Sequence, residues 1–369
     1  MFHILCINPG STSTKLAVFE DDRQVFDRNI HHSSEDLETF SMPLDQLAFR
    51  EKLVISTLKE ANIAFDFDVV MGRGSLAMPV EGGVYEVNEF MLDITRKSVH
   101  QHASDLGCFI AYDIAKRIPS CKALIADPGV VDELSSLARI SGSPLIPRIC
   151  IWHALNQRAI ARRYAKDIGK RYEDLDLIIC HMGGGISIAA HHHGRAIDAN
   201  NSLGGEGPFS PERAGSLPAA VLVRICYSGQ FTENELLNSL VGRAGLTAHL
   251  GTNDMIEILK RIDEGDQKAK LIVDAMVYQT AKSIAAEAAV LYGKVDAILL
   301  TGGIAYSDYI VNSLRKRVEF LAPFYCYPGE NEMLALGQNA LAVLKGEMKI
   351  KEYVRVSQDS SKQDYAAGI

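Results

Sequence analysis

The chain has 369 residues, 47% of them hydrophobic, which suggests about two domains with sizeable cores. A formal charge of −8 speaks against a nucleic-acid partner, and no stretch reaches the ~18 uninterrupted apolar residues of a membrane span. Seven cysteines, an odd number with no CxxC pair, argue against a disulfide framework, and the N-terminus lacks the pattern of a signal peptide, so a cytoplasmic protein is expected.

The first predicted elements set the theme. Residues 2–7 form an apolar run that reads as a buried strand. It breaks at Asn8-Pro9-Gly10, a strong turn signal, and four hydroxyl residues and Lys15 follow before residues 16–19 turn apolar again. Strand, polar glycine-containing turn, strand is an arrangement that aims amides, hydroxyls and an ammonium at an anion, most plausibly phosphate. It is not a Walker A loop, which needs a second glycine before its lysine and a helix after it. An ordinary polar hairpin is the other reading of the same residues.

Residues 24–30 read as a third strand and residues 37–61 as one or two helices. Residues 67–71 form a short apolar strand that meets Gly72-Arg73-Gly74-Ser75, where Arg73 is placed either to meet an anion or simply to be solvated. Residues 90–116 are helix-rich and carry His100, His102 and Asp105, for which a structural role is the bland alternative. A strand over 121–126 ends on Asp127-Pro128-Gly129. A carboxylate there fits an active-site group or a Mg²⁺ ligand, and equally an N-cap for a helix starting near Val130. Residues 141–147 read as a hinge. His153 opens a helix whose basic residues Arg158, Arg162, Arg163 and Lys166 are expected to be solvated.

The opening pattern then returns. Strands over 175–180, 186–190 and 196–199 surround the glycine-rich turn His181-Met182-Gly183-Gly184-Gly185, repeating the order at residues 2–30. Such a repeat suggests two similar domains, each with one phosphate-type hairpin. Three successive histidines, 191–193, cannot all face one metal on an extended chain and read as a solvated turn. Residues 200–218, with Glu206, Glu212 and Arg213, look like a long functional loop, and residues 268–292 like a long helix. An apolar strand over 295–300 runs into Thr301-Gly302-Gly303-Ile304, where a nucleotide could pack against main chain, and Ser307-Asp308 opens a helix. A last strand (324–328), a loop with Glu330 and Glu332, and a helix over 333–345 close the series. Phosphoryl transfer needs such parts: positioning, and neutralisation of spread negative charge.

The set of motifs INPGSTSTK (7–15), GRGS (72–75), HASDLG (102–107), ADPGVVDEL (126–134), HALNQRAIARRYA (153–165), HMGGGISIAAH (181–191), GEGPFSPERAG (205–215), LGTND (250–254), LTGGIAYS (300–307) and YPGENEMLAL (327–336) resembles the acetate kinase family of the acetate and sugar kinase, heat-shock protein and actin superfamily over roughly residues 3–353. The resemblance implies an α/β fold of two duplicated actin-like (ribonuclease H-like) domains, each a mixed sheet flanked by helices. Their expected limits are 1–150, completed by a C-terminal helix at about 340–355, and 151–339, with a frayed tail at 356–369. It implies that Asn8, Ser11, Ser13 and Lys15 form one phosphate-binding turn and His181, Gly183, Gly184 and Gly185 a second. Arg73 and Arg213 match the arginines that stabilise the transferring phosphoryl group, and His153 a histidine that hydrogen-bonds it. Asp127 matches the aspartate of a magnesium site, with Glu332, or the nearby Glu330, as its glutamate. Gly302, Gly303 and Ile304 match the adenosine pocket. Gly184 stands where acetate kinases carry Asn, and 153–157 reads His-Ala-Leu-Asn-Gln where they carry His-Gly-Thr-Ser-His. Both departures resemble the butyrate kinase branch. The implied reaction is butanoate + ATP = butanoyl phosphate + ADP, with Mg²⁺ and ATP/ADP as partners of catalysis and a homodimer or larger assembly. A kinase of branched or other short fatty acids is the alternative, and a non-catalytic actin-like ATP-binding protein a further one.

Overall fold

The computed structural model describes residues 1–98 and 101–354; His100 lies outside the described residues, as does the expected tail at 356–369. The chain divides into two compact units, residues 1–132 with the segment from Asn331 onward, and residues 133–330.

The first unit is built on a seven-stranded sheet. Strands β1 (His3–Pro9), β2 (Ser13–Glu20) and β3 (Arg23–His31) form an antiparallel meander, and β4 (Val69–Gly72), β5 (Val84–Glu86) and β6 (Lys122–Ala126) extend it on the β1 side. The neighbours β1, β4 and β6 are parallel, with Ile7 opposite Gly72 and Gly72 opposite Ile125. Their near-continuous apolar runs are what a sheet covered on both faces requires. By contrast β3 is polar and largely exposed, the expected behaviour of an edge.

The second unit repeats the order. Strands β7 (Asp176–Met182), β8 (Ile186–His192) and β9 (Arg195–Ala199) form the meander, and β10 (Ala297–Gly302) and β11 (Phe324–Pro328) run parallel to β7. The chain then returns to the first unit, where the short strand β12 (Ile350–Lys351) runs parallel to β5 as the seventh strand of that sheet. Alternation along β7 sends Leu177 and Ile179 towards the helix Ala154–Asp167, while Ile178, Cys180 and Met182 join the core under the helix Gln267–Val290. Among the described residues no helix is long and apolar enough to cross a membrane.

Several local expectations are corrected. No helix begins near Val130, so Asp127 is not an N-cap. The basic helix is not wholly solvated: Arg158 is buried, 3.2 Å from Glu133. His191 is fully buried, and only His192 and His193 are exposed, because strand alternation turns the first of the three inward. His102 and Asp105 serve structure, as the bland alternative had it. The His102 Nδ1 accepts from the Ser104 amide at 3.1 Å and Asp105 Oδ2 from the His102 amide at 2.9 Å, which starts the helical segment after them.

Candidate active site

In the first unit the parallel register brings Asn8, Arg73 and Asp127 to the C-terminal ends of β1, β4 and β6, the end where open α/β sheets hold their ligands. Arg73 is set there by a close backbone approach. A Cβ on Gly72 would lie 2.5 Å from the Gly107 carbonyl carbon, so two glycines let the end of β4 touch the start of the helix Leu106–Ala115. The helix Glu332–Leu344 begins at the same place and packs on β1. Its Glu332 bridges two candidates: Oε2 accepts from Asn8 Nδ2 at 2.6 Å, and Oε1 pairs with Arg73 Nη2 at 3.1 Å. Arg73 Nη1 is buried and has no hydrogen-bond partner among the described residues. Asp127 is fully buried with a positive φ of 39°, a conformation that costs a non-glycine residue energy, and Oδ1 accepts from the Gly83 amide at 2.7 Å.

The turn between β1 and β2 is held from behind by a residue that sequence reasoning did not select. Arg50 is fully buried and forms no ion pair among the described residues. Its Nη1 donates to the carbonyls of Gly10 (2.7 Å) and Ser13 (3.1 Å), and its Nη2 to that of Ser11 (3.1 Å). The Thr12 carbonyl accepts from the His32 amide at 2.9 Å. Every carbonyl of the turn is therefore drawn inward, while the amides of Ser11 and Thr12 bond to no other described residue and the Ser11 and Lys15 side chains are exposed. Burial brings the Arg50 guanidinium down to about 10, still charged at neutral pH. A turn with its negative dipole ends withdrawn and a cation behind it is suited to an anion. The signal was present: Arg50 shares the buried face of its helix with Val54 and Leu58, a charge in phase with an apolar stripe.

The second unit places its candidates likewise. The glycines of the β7–β8 turn are needed for what approaches them. A Cβ on Gly185 would meet Arg213, whose Cζ would be 2.5 Å away, and one on Gly183 would lie 2.8 Å from Glu330 Oε1. Burial lowers the Arg213 guanidinium from its ordinary value, and its Nη1 donates to the Ser202 carbonyl at 2.8 Å. The rings of His153 and His181 stack, with centroids 3.9 Å apart and planes 16° from parallel. His181 Nδ1 lies 3.2 Å from Asn156 Oδ1, and its Nε2 lies 3.2 Å from Glu330 Oε1 without hydrogen-bond alignment. His153 Nδ1 meets Ser187 Oγ at 2.8 Å. Gly302 has φ +96° and sits against the Met182 backbone, Gly303 borders open space, and Ile304 is buried. The two carboxylates that the sequence left as alternatives thus separate: Glu332 belongs to Asn8 and Arg73, Glu330 to His181.

The Acetokinase family matches residues 148–351. A protein of Bacteroides thetaiotaomicron named "Probable butyrate kinase" is 61% identical over 350 residues, 95% of this chain and 99% of its own. The chain belongs to the acetokinase family. Butyrate kinase 1 of Clostridium acetobutylicum is 48% identical over 96% of this chain and 100% of its own. The crystal structure of Porphyromonas gingivalis acetate kinase shares the fold, with a TM-score of 0.75 at 16% identity, covering 93% of this chain and 100% of that one. The acetokinase fold is thus the two-sheet α/β arrangement described above.

Proposed function

We propose that the chain phosphorylates a short-chain carboxylate with ATP, butanoate + ATP giving butanoyl phosphate + ADP, reversibly. The observation that carries this reading is the 61% identity, over 95% of the chain, to a relative named for that substrate. A carboxylate oxygen attacks the γ-phosphorus in line, the P–O bond to ADP breaks, and no proton moves, because the acid is already ionised at pH 7. The protein therefore supplies position and charge, not a base.

Arg73 and Arg213 take the charge of the transferring phosphoryl group, and His153 hydrogen-bonds it. What supports the first assignment is a guanidinium anchored on Glu332 through one nitrogen and carrying a second that is buried without a partner. Asn8, Ser11, Ser13 and Lys15 bind phosphate on one turn, His181 and Gly183–Gly185 on the other, and Gly302, Gly303 and Ile304 receive the adenosine. Asp127 and Glu332 offer the hard carboxylate oxygens that Mg²⁺ takes, one or two at a time with waters completing its shell, so the donor set fits this ion. When bound, Mg²⁺ supplies neutralisation of the phosphate charge. The protein acts in the cytoplasm as a homodimer or larger assembly. The helices Ala219–Cys226 and Glu233–Leu240 bury none of their own residues and leave Val221, Val223, Tyr227 and Leu237 exposed, an apolar face that a second copy covers. Light scattering tests the assembly.

The reaction is tested by trapping acyl phosphate with hydroxylamine in the presence of ATP and C2 to C5 acids. Butanoate is expected to give product, with Arg73→Ala losing about 10²–10³-fold in kcat while staying folded. No trapped product with any of these acids removes the reading.

A further inference from the structure

Behind His153, within the second unit, five side chains form a hydrogen-bonded row: His153, Ser187, Gln157, His191 and Tyr172. One group that can only accept fixes the direction of the row. The Ser187 carbonyl lies 3.1 Å from the Gln157 amide nitrogen, so this –NH₂ faces β8 and the Gln157 Oε1 faces His191. The same –NH₂ donates to Ser187 Oγ at 2.9 Å, and the His153 backbone N–H donates to that oxygen at 3.3 Å. A hydroxyl accepts twice and donates once. With both acceptor sites used, Ser187 has only its O–H left, and this points at His153 Nδ1, 2.8 Å away.

The far end agrees. His191 Nε2 lies 3.0 Å from Gln157 Oε1 and must donate, so its Nδ1 accepts from the Tyr172 hydroxyl at 2.6 Å. Burial, with Arg158 nearby, pushes His191 down to about 3, so the ring holds a single proton at neutral pH, the one it donates.

We propose that Ser187 and Gln157 are positioning residues that fix the tautomer of His153, keeping Nδ1 as an acceptor and the ring proton on Nε2. A proton on Nδ1 would place two hydrogens in the bond to Ser187. The ring therefore presents an N–H, not a lone pair, on its other nitrogen, the form that suits an anionic oxygen. The bearing of this on turnover rests on the role given to His153 under Proposed function; the tautomer itself does not.

The test uses the full chain labelled with ¹⁵N-histidine, with the His153 signals assigned by their loss in His153→Gln. Long-range ¹H–¹⁵N correlation at pH 7.5 is expected to show His153 with Nδ1 unprotonated and Nε2 protonated. Ser187→Ala removes the donor, and Gln157→Leu frees an acceptor site on Ser187. Each is expected to give a mixture of tautomers, and Ser187→Ala to lower kcat about tenfold with KM for ATP within about twofold. Ser187→Thr restores the hydroxyl and the parent tautomer. A protonated Nδ1 in the parent, or an unchanged tautomer in both folded variants, overturns the proposal. A tautomer that shifts with kcat unchanged upholds it and refutes the assignment of His153 to the reacting group.

Discussion

Gly185→Ala separates stability from catalysis. Gly185 has no positive φ, so alanine keeps the backbone, and the three atoms nearest the added Cβ all belong to the flexible end of Arg213. That Cβ would lie 2.5 Å from Cζ and 3.1 Å from Nε, and closer still to Nη1. Ordinary carbon contacts begin near 3.5 Å, so the guanidinium has to move by about 1 Å. Its 2.8 Å bond to the Ser202 carbonyl then breaks. Misplacing a charge-stabilising group by about 1 Å costs on the order of 10²-fold in rate, close to the loss from removing such a donor altogether. Steady-state acyl phosphate formation should therefore fall about 10²-fold in kcat, while the thermal midpoint stays near that of the parent. Gly184→Ala is the comparison: its Cβ would be 3.1 Å from Glu212 Oε2, a contact that a small shift of one carboxylate relieves, so it should lose less turnover than Gly185→Ala. Gly185→Ala turnover within about threefold of the parent would refute the argument that Gly185 seats Arg213 for catalysis.

Three further outcomes follow from the same geometry. Arg50→Met strips the charge-assisted bonds from three turn carbonyls and should cost about 3–5 kcal/mol in urea unfolding; a loss under about 1 kcal/mol would mean the turn holds itself. Gly302→Ala forces a side chain into φ +96° with its Cβ 2.6 Å from the Met182 carbonyl carbon, backbone that cannot yield, so an unfolding cost of about 2–4 kcal/mol is expected in the same assay. Burial and the nearby Asp198 push the Glu287 carboxyl up from 4.5 to about 8. The folded chain thus keeps a proton that the unfolded chain releases near 4.5, and stability falls as pH rises from there until it levels above about 8. Glu287→Gln should remove that decline, gaining on the parent between pH 5 and pH 8; parallel midpoint curves for the two proteins would contradict it.

Features legible in the sequence were those written in local chemistry. Asn8-Pro9-Gly10 with its hydroxyls announces a turn between buried strands, and β1 and β2 flank it as expected. The glycine run at 183–185 announces its counterpart between β7 and β8. Contacts over long separations were hidden. Glu330 and Glu332 are two residues apart and chemically alike, and only the start of the helix Glu332–Leu344 assigns the second to Asn8 and Arg73. Arg50 lies 40 residues after the carbonyl of Gly10 that it binds, and an amphipathic pattern read for its apolar positions alone passes over it. The inward turn of His191 follows from alternation along β8, but its partners Gln157 and Tyr172 come from elements 34 and 19 residues away.

The repeated topology carries unlike electrostatics. Both turns withdraw carbonyl oxygens, yet by different means. The β1–β2 turn is gripped by a buried guanidinium. In the β7–β8 turn the Gly184 carbonyl accepts from the neutral Ser210 hydroxyl at 2.7 Å and the Glu212 amide at 3.2 Å, with the Glu212 carboxylate beside it. The carbonyls of the first turn are thus held by a buried guanidinium, those of the second by a hydroxyl and an amide, with the charged groups Arg213 and Glu212 set beside its glycines instead. The two sheets share the order of their first three strands; residues distant from the turns in sequence, Arg50 above all, make them chemically distinct.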